Sequence, residues 1–169
     1  GAGLVAVNPA AIFGPGDTDM KVGVLFRRVQ KGKFPILPRG GFSTVDVRDV
    51  AKGHVLAFER GKPGHRYLLT GENVEYAQFG ARVARALQAE PPKKSVPVFA
   101  VKTLSALTHA WEWFGTRPQA AAAHLWCMTR YVFHSGEKAR RELGCETTPL
   151  DRTLADSVDW YRAKGLIRR

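Results

Sequence analysis

The chain opens on an unbroken apolar run, Leu4-Val5-Ala6-Val7, which Asn8-Pro9 cuts off. Such a run predicts a parallel strand covered on both faces, with Pro9 just past its carboxyl end, because proline has no N–H to give to a central ladder. Gly14-Pro15-Gly16 predicts a tight, irregular loop. The period then changes. Val22, Leu25, Phe26 and Val29 recur at helical spacing, so residues 20–30 read as a helix, with Asp17 or Asp19 as its cap, Thr18 as a further cap oxygen and Gly32 as its stop. Lys33 to Gly41, with two prolines and two glycines, reads as a connector that leaves room for a short strand at Ile36-Leu37.

Alternation returns from Thr44 to Val47, and Asp49 stands where an N-cap would open a helix through Arg60, with Ala51, Val55 and Phe58 on one face. Gly61-Lys62-Pro63-Gly64 is a turn and Arg66 to Thr70 a strand. Phe79, Val83 and Leu87 mark one face of a helix from Tyr76 to Gln88, which Pro91-Pro92 stops. Ser95 to Pro97 reads as a short extended piece. Val101 to Phe114 and Pro118 to Arg130 read as two more helices, and the stripe containing Trp111, with Trp113 nearby, reads as core packing in preference to a ligand pocket. Tyr131 to His134 is extended; Ser135 caps a helix from Glu137 to Leu143, with Gly144 left-handed behind it. Leu150, Leu154, Val158 and Tyr161 line a last helix over residues 151–164, which Gly165 stops.

Composition changes this picture little. A chain of 169 residues with 44% hydrophobic residues has the make-up of one ordinary globular domain. No stretch approaches a membrane span and no signal-peptide pattern opens the chain, so a cytoplasmic location is expected. Cys127 and Cys145 fit neither a disulfide framework nor metal-ligand spacing and read as reduced thiols. The net charge of +11 is spread along the whole chain, which argues against a nucleic-acid partner. One segment differs: Lys21, Arg27, Arg28, Lys31, Lys33 and Arg39 have no acid among them past Lys21, and form either a solvated face or a loop that faces an anion.

Candidate chemistry is sparse. The five histidines are scattered without zinc-like partners, and there is neither a nucleophile elbow nor a P-loop lysine. None of Tyr67, Tyr76, Tyr131 and Tyr161 is followed by lysine four residues on; Tyr161 has Lys164 three residues on, which reads as an exposed helix end.

Three strings in order carry a resemblance: Val-Asn-Pro-Ala-Ala-Ile-Phe-Gly-Pro-Gly-Asp at residues 7–17, Val-Asp-Val-Arg-Asp-Val-Ala at 45–51, and Tyr-Leu-Leu-Thr-Gly-Glu-Asn at 67–73. Ser-Gly-Glu-Lys-Ala-Arg-Arg-Glu-Leu-Gly and the Trp-Tyr-bearing last helix extend it to the end of the chain. The sequence resembles the carboxyl-terminal half of the extended short-chain dehydrogenase/reductases, the NAD-dependent epimerase/dehydratase and dihydroflavonol-reductase-like family.

That resemblance implies an α/β fold: the last parallel strands of a Rossmann-type NAD(P)-binding sheet, plus a small, mostly helical α/β substrate-binding domain. It makes residues 1–169 the substrate-side part, with the amino-terminal dinucleotide-binding part absent. It puts Pro9 and Ile12 beside the NAD or NADP cofactor, and Phe13 and Gly16 beside the substrate. Arg28 and Arg39 would meet the anionic part of that substrate. The strand at Tyr67 to Leu69 would join the small sheet of the substrate domain. The implied partner is a small molecule, a nucleotide-sugar or a dihydroflavonol-like compound, and the complete enzyme could pair as a homodimer. The family's glycine-rich phosphate loop and its Tyr-x-x-x-Lys do not occur in the sequence, so the fragment is expected to be inactive alone. A non-enzymatic dinucleotide-sensing or protein-binding module of the same fold is the alternative. No residue is expected to be catalytic and none to bind a metal.

Overall fold

The computed structural model describes residues 3–34, 40–92, 97, 99–100, 103 and 130–168. In chain order the elements are β1 (Ala6–Pro9), β2 (Ala11–Phe13), α1 (Gly23–Gln30), β3 (Gly41–Asp46), α2 (Val47–Arg60), β4 (Arg66–Leu69), β5 (Asn73–Glu75), α3 (Tyr76–Leu87), β6 (Tyr131–Val132), α4 (Glu137–Leu143) and α5 (Leu150–Ala163). The expected segments at Ile36-Leu37, 101–114 and 118–130 lie essentially outside the described residues, and so do Arg39, Trp111, Trp113 and Cys127. No helix among the described residues is long and apolar enough to cross a membrane.

Two sheets divide the strands. β1 and β4 pair in parallel, with Ala6 opposite Arg66 and Pro9 opposite Leu69. The second sheet is built around β3, which takes β2 in parallel along Thr44–Asp46, β6 in parallel at Gly41 and Phe42, and β5 antiparallel on its other edge. The chain crosses from one sheet to the other at Ala10, whose N–H donates to the Leu69 carbonyl at 3.0 Å.

The first strand differs from the expectation. It starts later than Leu4 and includes Pro9, because Ala6 and Ala10 turn their N–H groups toward β4, leaving the nitrogen at position 9 facing the other edge, where a missing donor costs this ladder nothing. Ala11–Phe13, to which the pattern assigns no element, is a strand that pairs with β3, and Asn73–Glu75 is a strand for the same reason: β3 supplies the partner. Tyr67 to Leu69 extends the first sheet with β1 and not the small sheet.

Each sheet has its own apolar core. Beneath β1 and β4, Val45, Val50, Ala57, Tyr67, Leu69, Ala139 and Leu143 pack together, which joins α2 and α4 to the parallel pair. The other core unites Phe13, Phe26, Val29, Val74, Phe79, Val83, Leu87, Leu154, Val158 and Tyr161, from α1, α3, α5 and the second sheet. The stripes at Phe79, Val83 and Leu87 and at Leu150, Leu154, Val158 and Tyr161 are buried as their spacing requires.

The buried face of α2 is the one the spacing did not favour. Val50, Gly53 and Ala57 face inward, whereas Val55 and Phe58 are exposed, Phe58 at 92%. Small residues decide this: a Cβ at Gly53 would stand 2.5 Å from Leu69 Cδ1, so the helix lies close to β4 only through its glycine and alanine side. Its cap also moves. Asp46, not Asp49, accepts from the Arg48 N–H at 2.8 Å, and strand β3 therefore runs over Gly41–Asp46 and not to Val47. Helix α1 is capped by Asp17, whose carboxylate accepts from the N–H groups of Lys21, Val22 and Gly23. Ser135 Oγ accepts from the Glu137 N–H at 3.3 Å, and Gly144 ends α4 at φ 77°.

Candidate functional site

Parallel strands leave their last carbonyls and the following loops at one end of the sheet, which is where open α/β folds place ligands. Here that end is formed by Pro9 of β1 and Leu69 of β4. A cleft of about 300 Å³ opens there, lined by Asn8, Pro9, Ala10 and Ala11 from the crossing between sheets, Leu68 and Thr70 from β4, Phe42 and Ser43 from β3, and Val132 and His134 from β6 and its loop. The lining is mixed: proline, leucine, valine and phenylalanine supply flat apolar surface, and asparagine, serine, threonine and histidine supply hydrogen-bonding groups.

Hydrogen bonds hold the polar side in place. The His134 backbone N–H donates to Ser43 Oγ at 2.8 Å, and that hydroxyl donates onward to Asn73 Oδ1 at 2.6 Å. This relay fastens the loop after β6 across β3 to β5. On the facing wall the Gly71 N–H donates to the Thr44 carbonyl at 2.6 Å, which sets the turn directly after Thr70.

Charged networks brace the scaffold behind the cleft. Asp46 is buried and accepts from Arg48 Nε at 2.9 Å, Arg48 Nη2 at 2.7 Å and Thr153 Oγ1 at 2.7 Å. Burial pushes its carboxyl up, but these hydrogen bonds and the Arg48 charge outweigh that and hold it below the usual carboxylate range. Arg48 also reaches Asp156 at 2.7 Å, so the start of α2 is tied to α5. Hydrogen bonds from Arg82 lower Glu72 in the same way, against its partial burial, and Glu72 accepts from the Leu150 N–H at 2.7 Å at the start of α5. Asp49, free of the capping role, accepts from the Thr148 N–H and hydroxyl.

The expected site residues separate in space. Pro9 lines the cleft. Ile12, 37% exposed, is not part of that lining, and Phe13 is buried between Phe42 and Phe79, with ring centroids 6.1 and 5.0 Å away. Gly16 sits exposed at φ 106° before the Asp17 cap, and Arg28 is exposed on α1. Tyr161 donates to Asp17 Oδ2 at 2.9 Å, and burial, followed by that hydrogen bond and the Asp17 charge, pushes its phenol well up; it is a structural hydroxyl and forms no dyad with Lys164. Thr70, Ser43 and His134 were not singled out from the sequence. A polar residue directly after a parallel strand is the signal that could have found Thr70; the other two need the pairing of β3 with β6.

Among the described residues no group of three His, Cys, Asp or Glu side chains could hold a metal ion, and the cleft contains no carboxylate.

A parallel pair with a polar-edged cleft at its carboxyl end, beside a second, helix-covered sheet, defines an open α/β fold. Comparison narrows that class. The chain is 30% identical over 179 aligned positions to a putative dihydroflavonol 4-reductase of Synechocystis, covering 99% of this chain and 51% of that protein. A nucleoside-diphosphate-sugar epimerase from Pseudomonas aeruginosa superposes with a TM-score of 0.80 at 29% identity, over 99% of this chain and 51% of that one. UDP-glucuronic acid 4-epimerase from Bacillus cereus, solved in complex with NAD, shares the fold at a TM-score of 0.64 and 15% identity, over 95% of this chain and 45% of its own. No family model matches the sequence. The chain spans about half the length of the curated relatives it matches. Over that span it is similar to dihydroflavonol-reductase-like and short-chain dehydrogenase/reductase proteins and shares the fold of the solved epimerase.

Proposed function

We propose that this chain supplies the substrate-side half of an NAD(P)-dependent epimerase, dehydratase or carbonyl reductase, and that the strand-end cleft receives the nicotinamide end of the cofactor and the substrate beside it. The observation that carries this reading is the position of Pro9: it ends β1 in the wall of a cleft at the carboxyl ends of two parallel strands. The cofactor, when bound, supplies a hydride acceptor or donor. The residues present fit one end of it. Pro9, Leu68 and Val132 offer apolar surface of the kind a planar ring lies against, while Asn8, Thr70, Ser43 and His134 offer groups suited to a carboxamide and to substrate hydroxyls. Ile12 and Gly16, on the strand and loop that follow Pro9, lie outside the lining of this cleft.

Nothing in the sequence fits the other end of a dinucleotide. Without a glycine-rich loop at a helix N-terminus the pyrophosphate has no cradle, and without Tyr-x-x-x-Lys no phenol has the neighbour that would ready it for proton exchange with a substrate oxygen. The domain division follows: residues 1–169 form the substrate side, and the dinucleotide-binding and proton-transferring groups come from elsewhere. A small carbonyl- or hydroxyl-bearing molecule of nucleotide-sugar or dihydroflavonol type is the proposed substrate.

Incubating the purified chain with NADH or NADPH and a panel of carbonyl substrates tests the division of labour. The reduced-cofactor absorbance is expected to stay constant. Turnover by the chain alone would place the proton-transfer machinery inside these residues and overturn the proposal.

A further inference from the structure

A second concavity of about 360 Å³ lies between α1 and the segment after α5, and it shares no residue with the strand-end cleft. Arg27, Gln30 and Lys31 form one wall, and Leu166, Ile167 and Arg168 the other. Hydrogen bonds lock the two walls together. Arg27 Nε donates to the Leu166 carbonyl at 2.8 Å, Gln30 Nε2 donates to the Arg168 carbonyl at 2.9 Å, and the Arg168 N–H returns a bond to Gln30 Oε1 at 3.4 Å. Buried Ile167 anchors the outer wall in the core of α1, α3 and α5.

This arrangement sets three cations around one hollow. Arg27 uses only Nε in the lock, which leaves both terminal guanidinium nitrogens; Arg168 is held by its backbone, which leaves its whole guanidinium; and the Lys31 ammonium has no partner among the described residues. No carboxylate lies within ion-pair distance of any of the three among the described residues. Arg27 and Lys31 also stand one helical turn apart, a like-charge spacing that destabilises a helix until something neutralises it. The dipole at the carboxyl end of α1 favours cations there, but it does not account for Arg168, which arrives on a separate segment and is fixed to the same helix through its main chain.

We propose that this hollow binds a phosphate chain of two or three linked phosphates, with Arg27 and Arg168 gripping from opposite walls and Lys31 adding a third charge. Guanidinium groups suit such a ligand because each offers parallel donors to two phosphate oxygens. A single carboxylate or orthophosphate would satisfy one wall only. Such a chain could belong to a nucleotide or be inorganic polyphosphate, and the binding chemistry is common to both.

Titration of the ¹⁵N-labelled protein at low ionic strength, with tripolyphosphate, with ADP and with orthophosphate as separate probes, tests this. Tripolyphosphate is expected to shift the amides of Lys31 and of Leu166 to Arg168, and the variant carrying Lys31→Glu and Arg168→Glu is expected to bind it at least about tenfold more weakly. A milder variant, Lys31→Gln with Arg168→Gln, repeats the comparison if the reversal disturbs folding. If ADP shifts the same amides at lower concentration than tripolyphosphate, the phosphate chain is that of a nucleotide; the reverse order identifies polyphosphate. Equal affinity for orthophosphate and tripolyphosphate, shifts confined to other residues, or unchanged affinity in both variants would overturn the proposal. None of these outcomes bears on the strand-end cleft.

Discussion

Asp46 and Asp49 stand three residues apart in Val-Asp-Val-Arg-Asp and carry different loads. Asp46 caps α2, takes two guanidinium nitrogens of Arg48 and binds the Thr153 hydroxyl, all from a buried position. Replacing it with asparagine removes the charge from this cluster and leaves hydroxyl and guanidinium donors poorly matched. Because the Arg48 side chain is 44% exposed, water recovers part of the loss, and Asp46→Asn is expected to cost about 2 kcal/mol in urea unfolding. Asp49→Asn, which loses only its bonds to Thr148, is expected to cost about 1 kcal/mol. Acid reports the same groups. The folded-state pKa values of Asp17, Asp46 and Glu72 are depressed, so their contribution is complete above the unfolded values near ~4 and disappears as pH falls through and below them. Stability is therefore expected to drop below about pH 4, and less steeply in Asp46→Asn than in the parent.

At the scale of elements, helix periods were legible and strand partners were not. The stripes of α3 and α5 follow from spacing alone, since each has one apolar face. Helix α2 has two, one of Ala51, Val55 and Phe58 and one of Val50, Gly53 and Ala57, and only the distance between α2 and Leu69 chooses between them. Gly53→Val is expected to destabilise by about 2 kcal/mol or more through overpacking, whereas Phe58→Ser should stay within about 0.5 kcal/mol, as measured by thermal melting. Strands β2 and β5 are three residues each, too short for a pattern, and exist because β3 offers an edge. Strand pairing also sets what β1 should show in hydrogen exchange. A strand with no neighbour would exchange uniformly fast. With β4 as its only partner among the described residues, the amides of Ala6 and Ala10 are expected to be protected, while those of Val5 and Val7, which turn to the other edge, exchange rapidly. Equal rates at all four positions would contradict the observed register.

For the whole molecule, the part of the site visible in the sequence was the part carried by local signals. Pro9 marks the end of a strand, and the cleft is there. Phe13 has the chemistry of a pocket residue but the burial of a core one, because β2 turns it between Phe42 and Phe79. Ser43 and His134 meet only through pairing between residues some ninety positions apart. In the proposed function, the cleft meets the nicotinamide end of a dinucleotide and not its adenine end. Saturation-transfer NMR on the purified chain with NADP⁺ tests it directly, since it registers weak contacts ring by ring. Saturation is expected to reach the nicotinamide protons and to be abolished there when Thr70 and His134 are replaced by bulkier residues, with little transfer to adenine. Equal transfer to adenine, or transfer that survives those replacements, would contradict the assignment of the cleft.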